Sequence, residues 1–267
     1  MFWKKHKWKI IVPTAILALL VLAFWYGGDA PGLQGWRVKP AATATPTEAP
    51  GSALNERPGG ADGTLSVDEK LAAAAALAGK QTGEQGDADY SAAQGMQLDP
   101  ETGKDRYGTS AVPEGKPVPV EPEDAEITDV AYTCMISISC ATILDNMSWL
   151  DPEKIELVPE DGWILKPIEV TFYEGESVFN VLLRTCKQQG IHMEFVNTPM
   201  YNSAYIEGIG NLYEFDCGQL SGWIYKVNGW SPNYGCSRYA LKDGDVIQWQ
   251  YTCNLGIDID AYYAVGG

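Results

Sequence analysis

TFYEGESVFNVLLRTC, residues 171–186, holds the change of period that decides the fold. Thr171 to Glu174 closes an alternating run that begins at Ile168, and alternation at period two is the signature of a strand. Gly175 turns the chain. Ser177 carries the short hydroxyl that caps a helix N-terminus, and Val178, Val181, Leu182, Thr185 and Cys186 then recur at helical spacing. Gly190 is placed to end the helix in a left-handed cap. The pattern predicts a strand over 168–174 and a helix from Ser177 to about Gln189.

Working outward, Tyr132–Cys140 alternates over nine residues and reads as a strand. Residues 141–167 are punctuated by Pro152, Pro159 and Pro167, and predict a short helix followed by a loop. Downstream, Ile191–Val196, Ala204–Ile209, Leu212–Cys217, Trp223–Val227 and Val246–Thr252 read as further strands. Asn228-Gly229 is a hairpin turn signal, and Lys242-Asp-Gly-Asp245 is a turn leading into the last strand. Several strands with one strong helix predict an α+β domain, a mixed sheet with one helix packed across it, over residues 128–267.

Three of these patterns carry a resemblance: residues 171–186, Ser221-Gly-Trp-Ile-Tyr-Lys-Val-Asn-Gly229, and Leu241-Lys-Asp-Gly-Asp-Val-Ile-Gln-Trp-Gln-Tyr251. In this order they resemble the transcobalamin-like C-terminal domain family. The resemblance implies a β-grasp-like fold. It suggests cobalamin or another corrinoid as an alternative ligand, although no resident cofactor is expected.

The rest of the chain differs in texture. Lys4, Lys5, Lys7 and Lys9 precede Ile10–Tyr26, seventeen residues without a charge. As a helix that run spans about 26 Å, at the short end for crossing a bilayer. Trp3, Trp8, Trp25 and Tyr26 flank it where interfacial aromatics belong. The expectation is a cytoplasmic basic segment (1–9), an uncleaved transmembrane signal-anchor (10–26) and a single-pass protein of the cell membrane with its C-terminal domain outside. Residues 27–127 are rich in Ala, Pro, Gly and acids, with few large apolar side chains, and read as a disordered stalk.

Charge narrows the partners. The net charge is −16, divided as +4 over the first nine residues, −9 over 27–127 and −11 over 128–267. Such a body repels phosphate backbones, so no nucleic-acid partner is expected. All six cysteines (Cys134, Cys140, Cys186, Cys217, Cys236 and Cys253) lie in the last half. In an exported domain an even count predicts disulfides, with connectivity open. Cys-x-x-Cys is absent and His192 is the one histidine of the domain, so no metal site is expected.

The same scarcity argues against an enzyme. His192 sits in an alternating strand pattern, and Asp243/Asp245 and Asp258/Asp260 fall in turn and tail contexts. The aromatics point instead to binding. Trp223, Tyr225, Trp249 and Tyr251 share strand faces at period two, while Trp230, Asn233 and Tyr234 lie in the loop after the Asn-Gly turn. Aromatic loops supply rigid contact area. These seven residues are the candidate ligand-binding set, for an extracellular glycan, peptide or small planar molecule. A structural role in envelope assembly is a further alternative.

Overall fold

The structure, a computed structural model, describes residues 85–261. The expected basic segment, the membrane anchor and the stalk up to residue 84 lie outside the described residues. No helix among the described residues is long and apolar enough to cross a membrane.

The chain runs α1 (Ala88–Ala93), β1 (Ala131–Ser139), α2 (Ala141–Leu144), β2 (Trp163–Tyr173), α3 (Val178–Gln189), β3 (Met193–Thr198), β4 (Ser203–Ile209), β5 (Leu212–Tyr213), β6 (Gly222–Val227) and β7 (Val246–Thr252). Short 3-10 turns occupy Pro152–Leu157, Cys236–Arg238 and Ile257–Ile259. The α+β class holds, and α3 begins and ends as its caps dictate. Ser177 and Asn180 form a reciprocal capping box, and Gly190 closes the helix at φ 67°.

The single mixed sheet expected from the sequence is two sheets. One has strand order β2-β1-β7-β6, with β1 and β7 parallel and the outer pairs antiparallel. The other is antiparallel, in order β3-β4-β5. After α3 the chain pairs β3 with β4, β4 with β5 and β6 with β7, each strand with its immediate successor, as short connections favour, and the step from β5 to β6 changes sheet. The strand expected over 212–217 stops at Tyr213. Phe215 at φ 72° and Gly218 at φ 102° turn the backbone left-handed, which no strand sustains.

The buried stripe of α3 (Val178, Val181, Leu182, Thr185 and Cys186) meets the sheet in one core. Cys134, Ile136, Ile138, Phe172, Ile247 and Trp249 belong to that core. On β6 and β7 the pairing is Trp223 with Tyr251, Tyr225 with Trp249 and Val227 with Ile247. The period-two aromatics therefore stand opposite one another on one face. A second core gathers Ile143, Leu150, Leu212 and Tyr251 with Cys140, Cys217 and Cys253.

The expected disulfides are not confirmed. All six cysteines are buried, and none is bridged in the structure. They divide three and three: Cys134, Cys186 and Cys236 in the first core, Cys140, Cys217 and Cys253 in the second. Three cannot pair among themselves, so a three-bridge framework would require a bridge running between the cores. Burial makes each an apolar filler and pushes the thiols of Cys140 and Cys186 up to about 11 and those of Cys134 and Cys236 to about 12.

The second difference concerns residues 85–127, expected as the last part of the stalk. They form a strap tied to the body. Asp87 caps α1, Val112 is fully buried in the first core, and Tyr90 and Val118 pack against it. Backbone carbonyls of the strap accept from body side chains, Ser110 O from Asn233 Nδ2 at 3.0 Å and Pro117 O from Tyr234 Oη at 2.8 Å. The ordered unit therefore starts well before residue 128. A few apolar anchors suffice when the partner surface is already folded.

Candidate functional site

Two cavities compete for attention. The larger, about 470 Å³, lies among Val120, Pro122, Ile127, Phe179, Asn197 and Pro199. None of the buried polar atoms left without a partner lines it. The smaller, about 220 Å³, is lined by Ser203–Ile206 of β4, Gly222–Tyr225 of β6, Trp249 of β7, the 232–236 loop, Arg238 and Tyr107–Thr109 of the strap. Three buried polar atoms without a hydrogen-bond partner belong to residues lining it: Trp249 Nε1, Arg238 Nε and Asn233 Oδ1. Buried polar groups are nearly always satisfied, so such a cluster calls for a reason. Chemistry, rather than size, singles out the smaller cavity.

Each side chain reaches the cavity by a local device. The Asn228-Gly229 turn has φ 53° and 77°, the geometry of a type I′ hairpin, and it closes with Val227 and Trp230 exchanging N–H···O bonds at 2.9 and 3.0 Å. Asn228 also anchors Asp245, donating from Nδ2 to Oδ1 at 2.8 Å. That locks the hairpin end against the Lys242–Asp245 turn, where Asp245 accepts the Lys242 N–H at 2.8 Å. Asp243 accepts the Thr133 N–H, and Asp258 caps the chain after β7 by accepting from Cys253 N and Thr252 Oγ1. These carboxylates are occupied with backbone geometry.

An aromatic chain runs from the loop into the sheet. Tyr234 stacks on Tyr239 at 6.1 Å, Tyr239 meets Tyr225 edge-on at 6.3 Å, and Tyr225 lies 5.5 Å from Trp249. Tyr225 Oη donates to Tyr234 O at 2.8 Å. Burial raises both phenols well above their ordinary value, so they stay neutral donors.

Arg238 governs the electrostatics. It is 1 % exposed, and its guanidinium donates to Asp105 at 2.5 Å, Glu121 at 2.6 Å and Thr109 Oγ1 at 2.7 Å. All three partners come from the strap. One cation against two carboxylates leaves a local charge of −1 if all three are ionised.

The structure brings together five of the seven candidate residues. Trp223, Tyr225, Asn233, Tyr234 and Trp249 line the cavity. Tyr251 does not; it is 1 % exposed in the second core, donating to Tyr213 O at 2.7 Å. Trp230 does not either; it packs beside Tyr234 and Tyr239, with the Lys116 ammonium 5.7 Å from its ring centroid. The loop read as an exposed patch is thus largely buried, because the strap covers it. His192 is half-exposed and pairs with Tyr213 Oη at 2.8 Å. Sequence reasoning missed Arg238, Tyr107 and Thr109. A signal existed for Arg238, one of only two arginines after residue 127 and set between Ser237 and Tyr239 in an acidic domain.

Most of the body side of this geometry lies within a segment that known proteins share, while its strap residues (Asp105, Tyr107–Thr109 and Glu121) lie outside it. Residues 175–253 match a domain of unknown function, DUF4430. The match spans most of the three patterns on which the transcobalamin-like resemblance rests, and that resemblance stands. No curated protein matches the chain. Among solved structures, haptocorrin in complex with Cbi is similar at 14 % identity and TM-score 0.34, with 48 % of this chain and 26 % of that chain covered. A protein from Ruminococcus gnavus ATCC 29149, provisionally described as metal binding, is similar at 11 % identity and TM-score 0.28, covering 45 % of this chain and 96 % of that one. This chain therefore spans about a quarter of haptocorrin. Among the described residues no group of three or more His, Cys, Asp or Glu side chains is placed to hold a metal.

Proposed function

We propose that this chain is a membrane-anchored, extracytoplasmic binding module without catalytic activity, which receives its ligand in the 220 Å³ cavity between β4, β6 and the 232–236 loop. The observation that carries the reading is that Trp249, Arg238 and Asn233, which line one aromatic-walled cavity, each hold a buried polar atom without a partner. Binding sites typically combine an apolar lining with a few fixed polar groups. Pockets for drug-sized ligands run to roughly 300–1,000 Å³, so this one encloses part of a ligand rather than a whole cofactor. The helix α3 across the larger sheet supports the β-grasp-like reading of the domain.

Anchoring and export rest on the sequence alone, the lysine cluster followed by Ile10–Tyr26. A reporter fused after Gly267 is expected outside the cytoplasm, and a cytosolic signal would overturn the placement. Binding is tested by a ligand array on full-length protein in detergent, beside Trp249→Phe and Asn233→Ala variants. The expected result is a hit weakened in both variants. Retention at full strength in both would remove the cavity from the account. Cobalamin belongs in the array as the corrinoid alternative, and an unquenched tryptophan signal at saturating concentration would eliminate it.

A further inference from the structure

Resting on that cavity as the binding site, we infer that it takes one residue of a neutral peptide, recognised through its backbone amide. The polar atoms without partners are two donors, Trp249 Nε1–H and Arg238 Nε–H, and one acceptor, Asn233 Oδ1. They sit on separate elements, β7, the 236–238 turn and the 232–235 loop. An amide offers a carbonyl acceptor and an N–H donor at two ends of one plane. A lone hydroxyl offers both functions only at a single atom.

Charge excludes the ionised alternatives. Arg238 is already matched by Asp105 at 2.5 Å and Glu121 at 2.6 Å, an excess of one carboxylate. A ligand carboxylate beside Arg238 would meet like charge in a buried setting. A ligand ammonium has no acceptor to offer the two N–H donors. The group that fits is polar and uncharged.

The lining then separates peptide from glycan. Tyr107, Tyr205, Trp223, Tyr225, Tyr234 and Trp249 present ring surface, with Ile206 and Leu255 between them. Aromatic faces take a flat amide and a small apolar side chain. An acetamido sugar would supply the same amide but also several ring hydroxyls, each costly to desolvate without a partner. A volume of about 220 Å³ suits one residue with its neighbours outside.

The test uses full-length protein in detergent, with the Trp249 indole N–H resonance assigned by its loss in Trp249→Phe. Four probes are titrated: N-acetyl-alanine-N′-methylamide, N-acetylglucosamine, propionate and cobalamin. The expected result is a saturable shift of the Trp249 resonance with the peptide probe, absent with propionate, and about tenfold weaker in Asn233→Ala, the effect of one hydrogen bond. Asn233 is only partly buried, but its Nδ2 also donates to Ser110 O of the strap, so the weakening counts as recognition only if the variant keeps the strap's protease resistance, and a released strap with the weakening would overturn that reading of Asn233. A shift with N-acetylglucosamine or cobalamin but none with the peptide would overturn the peptide assignment while leaving the cavity as a binding site. No shift with any probe would overturn both. Equal response to the peptide and to propionate would overturn the charge argument and with it the proposal.

Discussion

The body (131–261) and the strap (85–127) reach order by opposite routes. The body buries periodic apolar side chains: α3 presents Val178, Val181, Leu182 and Cys186, and the sheet answers with Ile136, Ile138, Phe172 and Ile247. The strap has one six-residue helix and a single fully buried aliphatic residue, Val112; Tyr90 and Val118 pack beside it, and backbone carbonyls and the carboxylates of Asp105, Glu121 and Glu123 accept from body side chains. The strap's conformation is imposed by what it touches. The smaller cavity is where the two meet, since Tyr107–Thr109 of the strap and Trp249 of the body line the same space.

The sharpest way to break this comparison is Arg238→Ala. It removes the cation that joins the two regions and leaves Asp105 and Glu121 without it. Removing one partner of a buried ionic group costs about 3–5 kcal/mol. The expected outcome in denaturant unfolding is a loss of that size, with the strap becoming protease-sensitive. Arg184→Ala is the control, since its pair with Glu176 is about a third exposed on the arginine side and is expected to cost far less. Equal losses would show that the strap is not the special partner.

A second test asks whether the cores behave as thiol-filled interiors. Burial raises the folded pKa of Cys186 to about 11 and that of Cys134 to about 12, against an ordinary 9.0. A raised folded pKa favours the protonated form, so this stability is fully present below pH 9. It is lost as pH climbs through 11–12, on the order of a few kcal/mol in all. Native protein is expected to react negligibly with a thiol reagent at pH 8 and to yield all six thiols once unfolded. Fewer than six in denaturant would mean that bridges form, at least one of them reaching between the cores if all six are paired.

Ser177→Ala measures the body's local signals. The hydroxyl accepts the Asn180 N–H at 3.3 Å, and Asn180 Oδ1 in turn accepts the Ser177 N–H at 2.9 Å. Loss of such a cap costs about 1 kcal/mol. Thermal unfolding is expected to shift by a few degrees with the strap's protease resistance unchanged. A released strap would mean that the helix start holds it too.

Legibility in the sequence follows the same division. The helix 178–189 and the strands 131–139, 222–227 and 246–252 were readable because period, caps and the Asn-Gly turn all act within a few residues. The split into two sheets was not, because it depends on Phe215 and Gly218 adopting positive φ, and nothing in Phe215's chemistry announces that. The site was legible in part. Trp223, Tyr225 and Trp249 were found from strand alternation, and Asn233 and Tyr234 from loop position. Arg238 was missed because its partners lie more than a hundred residues away in sequence, and Tyr107 because it stands in the segment read as stalk. Trp230 misled for the same reason, since composition cannot say that residues 85–127 fold back to cover it.

The mildest test separates the two forces that hold the strap. Lys116 Nζ sits 5.7 Å from the Trp230 ring centroid, while Tyr90 Oη donates to the Lys116 carbonyl at 3.1 Å. Lys116→Met keeps a long apolar side chain and the backbone carbonyl but deletes the charge. A cation over an indole contributes about 0.5–1 kcal/mol at a partly exposed site. If the strap is seated mainly by Arg238 and by backbone acceptors, the variant is expected to lose no more than that and to keep its protease resistance. Because the deleted charge lies near solvent, that small loss should also shrink as salt is raised, whereas the Arg238→Ala loss should persist. A Lys116→Met effect as large as that of Arg238→Ala would move the hinge of the comparison from the ion triad to the aromatic loop, and the strap would then be held by the rings it covers.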